Sequence, residues 1–209
     1  MARETWAPLH LCHCSTEQSY ELVRDAKRKG ISVTAEVCPH HFILTEDDIP
    51  SADDADFKMN PPVRTKWDRE ALLKGLSDGT FDVISTDHAP HTAEEKSRGF
   101  LKAPFGIVGL ETSFALSYTA LVLGGLLTLP ELIRKMSVNP AKILRIDRGD
   151  ISVGKTADIT IADIDNSYVI DPADFYSKGK NTPFAGRRVF GRILYTIHSG
   201  KIVYEYHRT

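Results

Sequence analysis

"VISTDHAPHT", Val83 to Thr92, is the stretch on which the reading of this chain turns. Val83 and Ile84 are β-branched and apolar, the residues that suit a buried strand. Ser85 and Thr86 then lead into Asp87, His88 and His91, more titratable chemistry than a strand end needs for its own sake. Two earlier segments have the same shape. "APLHLCHC" (Ala7 to Cys14) reads as a buried strand with His13 near its end, and "ISVTAEVC" (Ile31 to Cys38) alternates as a second strand before Pro39, His40 and His41. Between these two, Ser15 and Gln18 form a capping box. The helix it opens turns Tyr20, Leu22, Val23 and Ala26 to one side and stops at Gly30. Between the second and third strands, a polar loop containing "KMNPPVR" gives way to a helix begun by Thr65 and Asp68 and running through Leu76. Strand, helix, strand, helix, strand predicts an α/β fold with a parallel sheet.

Beyond about Gly106 the pattern is helical. One helix is expected from about Gly109 to Leu123, a second opens at Thr128 with Pro130 and Glu131, and a third has Asn139 as N-cap with Pro140 at its first position. From Gly149 onward, "DISVGKTADITIADI" and "GRILYTIHSGKIVYEYH" are β-branched runs broken by glycine turns, with Ser199-Gly200 reading as a hairpin. The expected organisation is residues 1–148 as an α/β unit and 149–209 as an appended β unit.

Bulk properties exclude several classes. The 209 residues are 42% hydrophobic and 26% charged, as in ordinary globular protein. A net charge of −2 provides no basic field for nucleic acid or an anionic membrane. The most apolar run, Ala115 to Leu129, falls short of the roughly 20 residues a spanning helix needs. "MARETWAPLH" has no signal-peptide core, and three cysteines, Cys12, Cys14 and Cys38, do not suggest a disulfide framework. A cytoplasmic protein is expected.

In parallel α/β folds the reactive groups lie at the C-terminal ends of strands. Here three successive strands deliver His13, His40 with His41, and Asp87 to one rim, which points to a hydrolase with a metal. Strand alternation puts Leu9, Leu11 and His13 on one face and His10, Cys12 and Cys14 on the other, so His13 is the better candidate ligand and the others read as buried fillers. Each residue also has a plainer reading: His13 as a hydrogen-bonded structural histidine, Asp87 as a cap of the following loop. Cys12, Cys14, Cys38 and His40 could alternatively form a zinc knuckle, though without a recognised spacing.

Taken together, "HLCHCST", "TAEVCPHHF", "MNPPVRT", "STDHAPHT", "APFGIVGLET", "SVNPAKIL", "GDISVGKTADITI" and "SKGKNTPFAGRRVFGRILYTIHSGKIVYE" resemble the C-terminal part of the type I dihydroorotases, in the metal-dependent amidohydrolase superfamily. The segments cover nearly the whole chain in the family's order. "MNPPVRT", "STDHAPHT" followed by "APFG", and "KNTPF" separate it from dihydropyrimidinases, which typically carry serine at the position of Asn60. The resemblance implies the last three strands of a (β/α)8 barrel plus a β extension. It also implies zinc-dependent, reversible opening of the cyclic amide of dihydroorotate to N-carbamoyl-L-aspartate, in pyrimidine synthesis. In that family a zinc-held hydroxide attacks the ring carbonyl and a carboxylate carries the proton to the leaving nitrogen. By motif match, His13 is a zinc ligand and Asp87 both a ligand and the general base. Asn60 and His91 bind the substrate, and the backbone at Phe105 and Gly106 closes over the ring. His40, His41 and His88 are supporting or structural.

The family's complete site holds two zinc ions. It uses a His-x-His pair with a following arginine, a bridging carboxylate and a further histidine from earlier strands, none of which this sequence contains. His13 and Asp87 alone make a partial site, and three strands cannot close a barrel. The chain is therefore expected to be a fragment, or to be completed by a second polypeptide, or to fold differently; the fragment is the leading expectation, with little activity in isolation. The alternative function is a non-catalytic scaffold, associated with a second copy or with aspartate carbamoyltransferase.

Overall fold

The computed structural model describes residues 2–207. Among these described residues, six strands form two sheets. Strands β1 (Leu9–Leu11), β2 (Val33–Val37) and β3 (Val83–Ile84) are parallel in the order β1-β2-β3, and β4 (Ile159–Val169), β5 (Arg188–His198) and β6 (Lys201–Glu205) are antiparallel in the order β4-β5-β6. Both the parallel α/β portion and the later β unit were expected from the sequence.

Compaction does not follow chain order. One unit comprises Met1–Ser113 with Asp171–Ala185, and the other Phe114–Ile170 with Gly186–Thr209.

In the first unit, Leu9 pairs with Val33 and Glu36 with Val83. The alternation of β2 sorts its two faces: Val33, Ala35 and Val37 are buried on one, while Thr34 and Glu36 are half-buried on the other. β2 packs on helix Glu17–Arg28, which in turn packs on helix Lys66–Ser77. Tyr20 and Val23 of the first helix and Leu72 and Leu76 of the second are buried, and the Tyr20 and Phe81 rings lie 6.3 Å apart. Each helix start is locally determined. Thr65 accepts from the Asp68 N–H and the Asp68 side chain returns to the Thr65 backbone, as expected. The cap of the first helix is Thr16 with Ser19 rather than Ser15 with Gln18, a shift of one residue within a run of polar candidates. Leu22 is exposed, because at 100° per residue it falls opposite the side shared by Tyr20 and Val23.

The regular helix expected from Gly109 begins at Ser113, the last residue of the first unit's opening segment, and continues in the second unit as a π-helical turn over Tyr118–Val122. Thr128 and Glu131 make the expected capping box for Leu129–Ile133. Asn139 is not an N-cap. Helix Leu129–Ile133 runs through a π-helical turn, Arg134–Val138, directly into Asn139–Leu144. The widened turn precedes Pro140, which has no N–H to return to the preceding turn. The Thr119 hydroxyl accepts the Phe190 N–H at 2.8 Å, tying the helical stretch to β5. Ser199 (φ 51°) and Gly200 (φ 77°) form the tight β5–β6 turn, both left-handed as a two-residue hairpin favours.

Candidate functional site

The parallel sheet ends in two residues that L-amino acids avoid. His13 has φ 37° and Asp87 φ 48°, and both carry a β-carbon into the left-handed region. Such strain persists only where the surroundings over-determine it, and it concentrates at working sites. Around His13 the determinant is Glu36. Its carboxylate accepts the His13 N–H at 3.3 Å and meets His10 Nε2 at 3.1 Å, while His10 Nδ1 meets the Thr34 hydroxyl at 2.8 Å. Because β1 ends at Leu11 and His13 is left-handed, strand alternation does not extend to His13. The filler reading also fails for Cys12, which is exposed; Cys14 is buried.

His13 and Asp87 are near neighbours electrostatically. Burial pushes the Asp87 carboxyl up from its ordinary range, the His13 imidazole opposes that rise, and Glu36 adds to it. Behind Asp87 lies His40, its ring 4.1 Å from that of His41. His40 Nε2 is buried without a hydrogen-bond partner, and its nearest carboxylate oxygen is Asp87 Oδ2 at 3.8 Å. Burial, with His41 and His13 close by, holds the His40 pKa well below its usual value. At 3.8 Å the approach is too long for a hydrogen bond. His41 Nε2 donates to the Pro61 carbonyl at 2.8 Å, and burial brings its pKa to about 4.

Among the described residues two groupings have metal-compatible spacing: Cys38 with His40 and His41, and His10 with Cys12 and Glu36. The four residues weighed as a zinc knuckle are not gathered into one group. Cys38 is also a poor thiolate, since burial drives its pKa strongly upward while its sulfur pairs with the Ser85 hydroxyl at 3.3 Å.

The expected substrate-side residues form a connected loop system. His88 Nδ1 accepts the N–H groups of Gly109 and Leu110, each at 3.2 Å. His91 Nε2 donates to the Phe105 carbonyl at 2.9 Å, and its Nδ1 lies 3.6 Å from Glu95. The Phe105 ring is 55% exposed, with the Lys58 ammonium 4.6 Å from its centroid. Gly106 is buried at φ 131°, and a β-carbon there would meet the Ala89 β-carbon at 2.4 Å. Asn60 is exposed and precedes a cis proline. Sequence reasoning missed Glu36, Lys96 and Asn181. Glu36 sits mid-strand, Asn181 acts on backbone groups 75 and 90 positions away, and Lys96 gathers carbonyls from both sides of it in the chain.

Residues 6–203 match the model of the amidohydrolase family. The chain belongs to the amidohydrolase family. It is 57% identical over 196 residues to the dihydroorotase of Bacillus cereus (strain AH820), covering 94% of this chain and 46% of that protein. It is 55% identical over 205 residues to the dihydroorotase of Anoxybacillus flavithermus (strain DSM 21510 / WK1), covering 98% and 48%. The chain thus spans about half the length of these curated relatives. Among solved structures it resembles the L-hydantoinase (dihydropyrimidinase) from Arthrobacter aurescens, with a TM-score of 0.90, 32% identity, and 99% of this chain aligned to 47% of that one. The dihydropyrimidinase of Brevibacillus agri NCHU1002 gives a TM-score of 0.89 at 26% identity, aligning 95% of this chain to 45% of that one. Among the described residues no helix is long and apolar enough to cross a membrane.

Proposed function

We propose that this amidohydrolase chain supplies the C-terminal part of a (β/α)8 barrel in a zinc-dependent dihydroorotase, which opens and closes the cyclic amide between dihydroorotate and N-carbamoyl-L-aspartate. The carrying observation is that His13 and Asp87, both left-handed, follow the ends of β1 and β3 on either side of β2, with the His13 imidazole acting on the Asp87 carboxyl. The 55–57% identity to dihydroorotases supports the choice of substrate over that of the hydantoinases. Residues 1–148 would form the barrel portion and 149–209 the β extension. Three parallel strands with β1 and β3 outermost leave a barrel to be closed by residues beyond these 209, on a longer polypeptide or a complementing chain. A second copy and aspartate carbamoyltransferase are candidate partners, in the cytoplasm.

His13 and Asp87 offer the nitrogen and oxygen donors zinc takes, so they fit as part of a ligand set of three or more. When bound, zinc supplies an acidified water and polarisation of the reacting carbonyl. The chain's own residues do the rest. Asp87, with its proton affinity raised by burial, accepts a proton and delivers it to the leaving ring nitrogen, then reverses the transfer for closure. His91 and Asn60 hold the substrate's carboxylate and ring edge. The Phe105–Gly106 backbone covers the ring.

The test combines zinc analysis with dihydroorotate hydrolysis. The isolated 209 residues are expected to hold less than one tight zinc and to turn over poorly. Mixed with, or joined to, a segment carrying the remaining ligands, they should become active, and Asp87→Asn should abolish that activity while Cys12→Ser and Cys14→Ser leave it largely intact. Zinc binding without turnover in the completed assembly would favour the scaffold reading. Loss of metal in the cysteine variants would move the site to the cysteines.

A further inference from the structure

The segment Asp171–Ala185 returns to the first unit after the chain has built much of the second, and Asn181 within it is only 7% exposed. Its amide is used on both sides. Asn181 Oδ1 accepts the His91 N–H at 2.9 Å, Asn181 Nδ2 donates to the Gly106 carbonyl at 2.9 Å, and its own carbonyl accepts the Val108 N–H at 2.9 Å. One side chain therefore fixes the distance between two loops that lie 15 residues apart in sequence. A second buried group, Lys96, bonds the same Gly106 carbonyl. The Lys96 ammonium donates to the carbonyls of Gly106 at 3.0 Å, Pro104 at 3.3 Å and Lys58 at 3.4 Å, while the Gly106 N–H reaches the Lys58 carbonyl at 2.9 Å. The approach is tight. A β-carbon at Gly179 would lie 2.7 Å from the His91 carbonyl oxygen and 2.9 Å from its nitrogen.

We infer that Asn181 is a positioning residue for substrate binding: it clamps His91 to the Phe105–Gly106 backbone, with Lys96 bracing the same carbonyl. This rests on the reading above that His91 and Gly106 face the substrate. Asn181 touches no reacting atom. It sets the spacing at which the His91 ring and the Phe105–Gly106 backbone meet a ligand, and so governs affinity more than the chemical step. An amide suits the task because it accepts at Oδ1 and donates from Nδ2, two separate atoms; an ionised carboxylate has no proton for the Gly106 carbonyl, and a hydroxyl would have to serve both partners from a single oxygen.

The experiment uses the completed, zinc-loaded assembly for kinetics with dihydroorotate, and the 209-residue chain for amide exchange. Asn181→Ala should raise KM about tenfold, the effect of losing a buried hydrogen bond, with kcat changed less than about threefold. Gly179→Ala keeps every polar group and should raise KM in the same way by displacing His91. In a His91→Ala background, adding Asn181→Ala should raise KM by clearly less than in the parent, because one of the two groups it positions is gone. Equal rises in KM in the two backgrounds would overturn the inference, as would a fall confined to kcat. In the 209-residue chain, Asn181→Ala should accelerate exchange of the His91 amide well beyond that of the β2 amides. Unchanged protection at His91 also overturns it. If the wild-type assembly fails to turn over dihydroorotate, the functional reading fails instead, and the exchange measurement still decides whether Asn181 is the clamp.

Discussion

Replacing Gly75 by alanine should destabilise this protein, against the usual expectation for a helix interior. Gly75 is buried in helix Lys66–Ser77, where alanine ordinarily gains about 1 kcal/mol over glycine. The added β-carbon would sit 2.5 Å from two carbons of the Phe81 ring and 2.9 Å from the Tyr20 ring. Carbon atoms pack at roughly 3.5–4.0 Å, so a ring or the helix must move by about 1 Å. Neither ring is free to do so. Phe81 is fully buried and Tyr20 is 2% exposed with its hydroxyl bonded to Asp78 at 2.8 Å. Overpacking costs about 1–3 kcal/mol in general; with three ring carbons overlapped this site falls at about 2–3 kcal/mol, and set against the helical gain of about 1 kcal/mol it leaves a net loss of about 1–2 kcal/mol. Urea unfolding followed by far-ultraviolet circular dichroism should show a lower midpoint with an unchanged slope. Phe81→Leu in the same chain should relieve part of the loss, giving a coupling energy of about 1 kcal/mol in the double-mutant cycle. A Gly75→Ala protein as stable as the parent would refute the packing argument.

Two further outcomes are expected. His41 is buried neutral, with its pKa lowered from 6.5 to about 4, so the unfolded chain binds the proton first. Stability from this group is complete above about pH 6.5, is lost as pH falls toward 4, and totals about 3 kcal/mol at 1.36 kcal/mol per pH unit. His41→Gln, which keeps a donor for the Pro61 carbonyl, should flatten urea midpoints between pH 7.5 and 5 relative to the parent; parallel pH profiles would show that the ring does not titrate on unfolding. Gly106→Ala combines a φ of 131° with a 2.4 Å approach to Ala89, strain of about 1–3 kcal/mol. It should weaken dihydroorotate binding in the completed assembly and shift the His91 ring resonances of this chain; unaltered resonances would mean that the loop absorbs the methyl group.

How much was legible follows from how local each feature is. The capping boxes at Thr65 and Thr128 could be read because both partners lie within four residues. The alternation of β2 was legible for the same reason, its period being a property of the strand itself. The Asn139 cap was misread because the π-helical turn that absorbs Pro140 depends on the preceding helix arriving in line. At the site, the motif match singled out His13 and Asp87, which lie 74 positions apart, but not Glu36, whose contact with the His13 amide arises only from the parallel register of β1 and β2. Asn181 was hidden further still, since its partners at 91 and 106 meet it only once the chain has returned from the second unit.

The left-handed backbone at positions 13 and 87 has an evolutionary corollary. A side chain in that conformation costs roughly 1–2 kcal/mol that glycine would not incur. In a copy of this gene released from turnover, drift to glycine at either place would firm the fold while discarding the side chain. Among descendants of one ancestor, these two positions should therefore separate the chains still at work from those that have been retired.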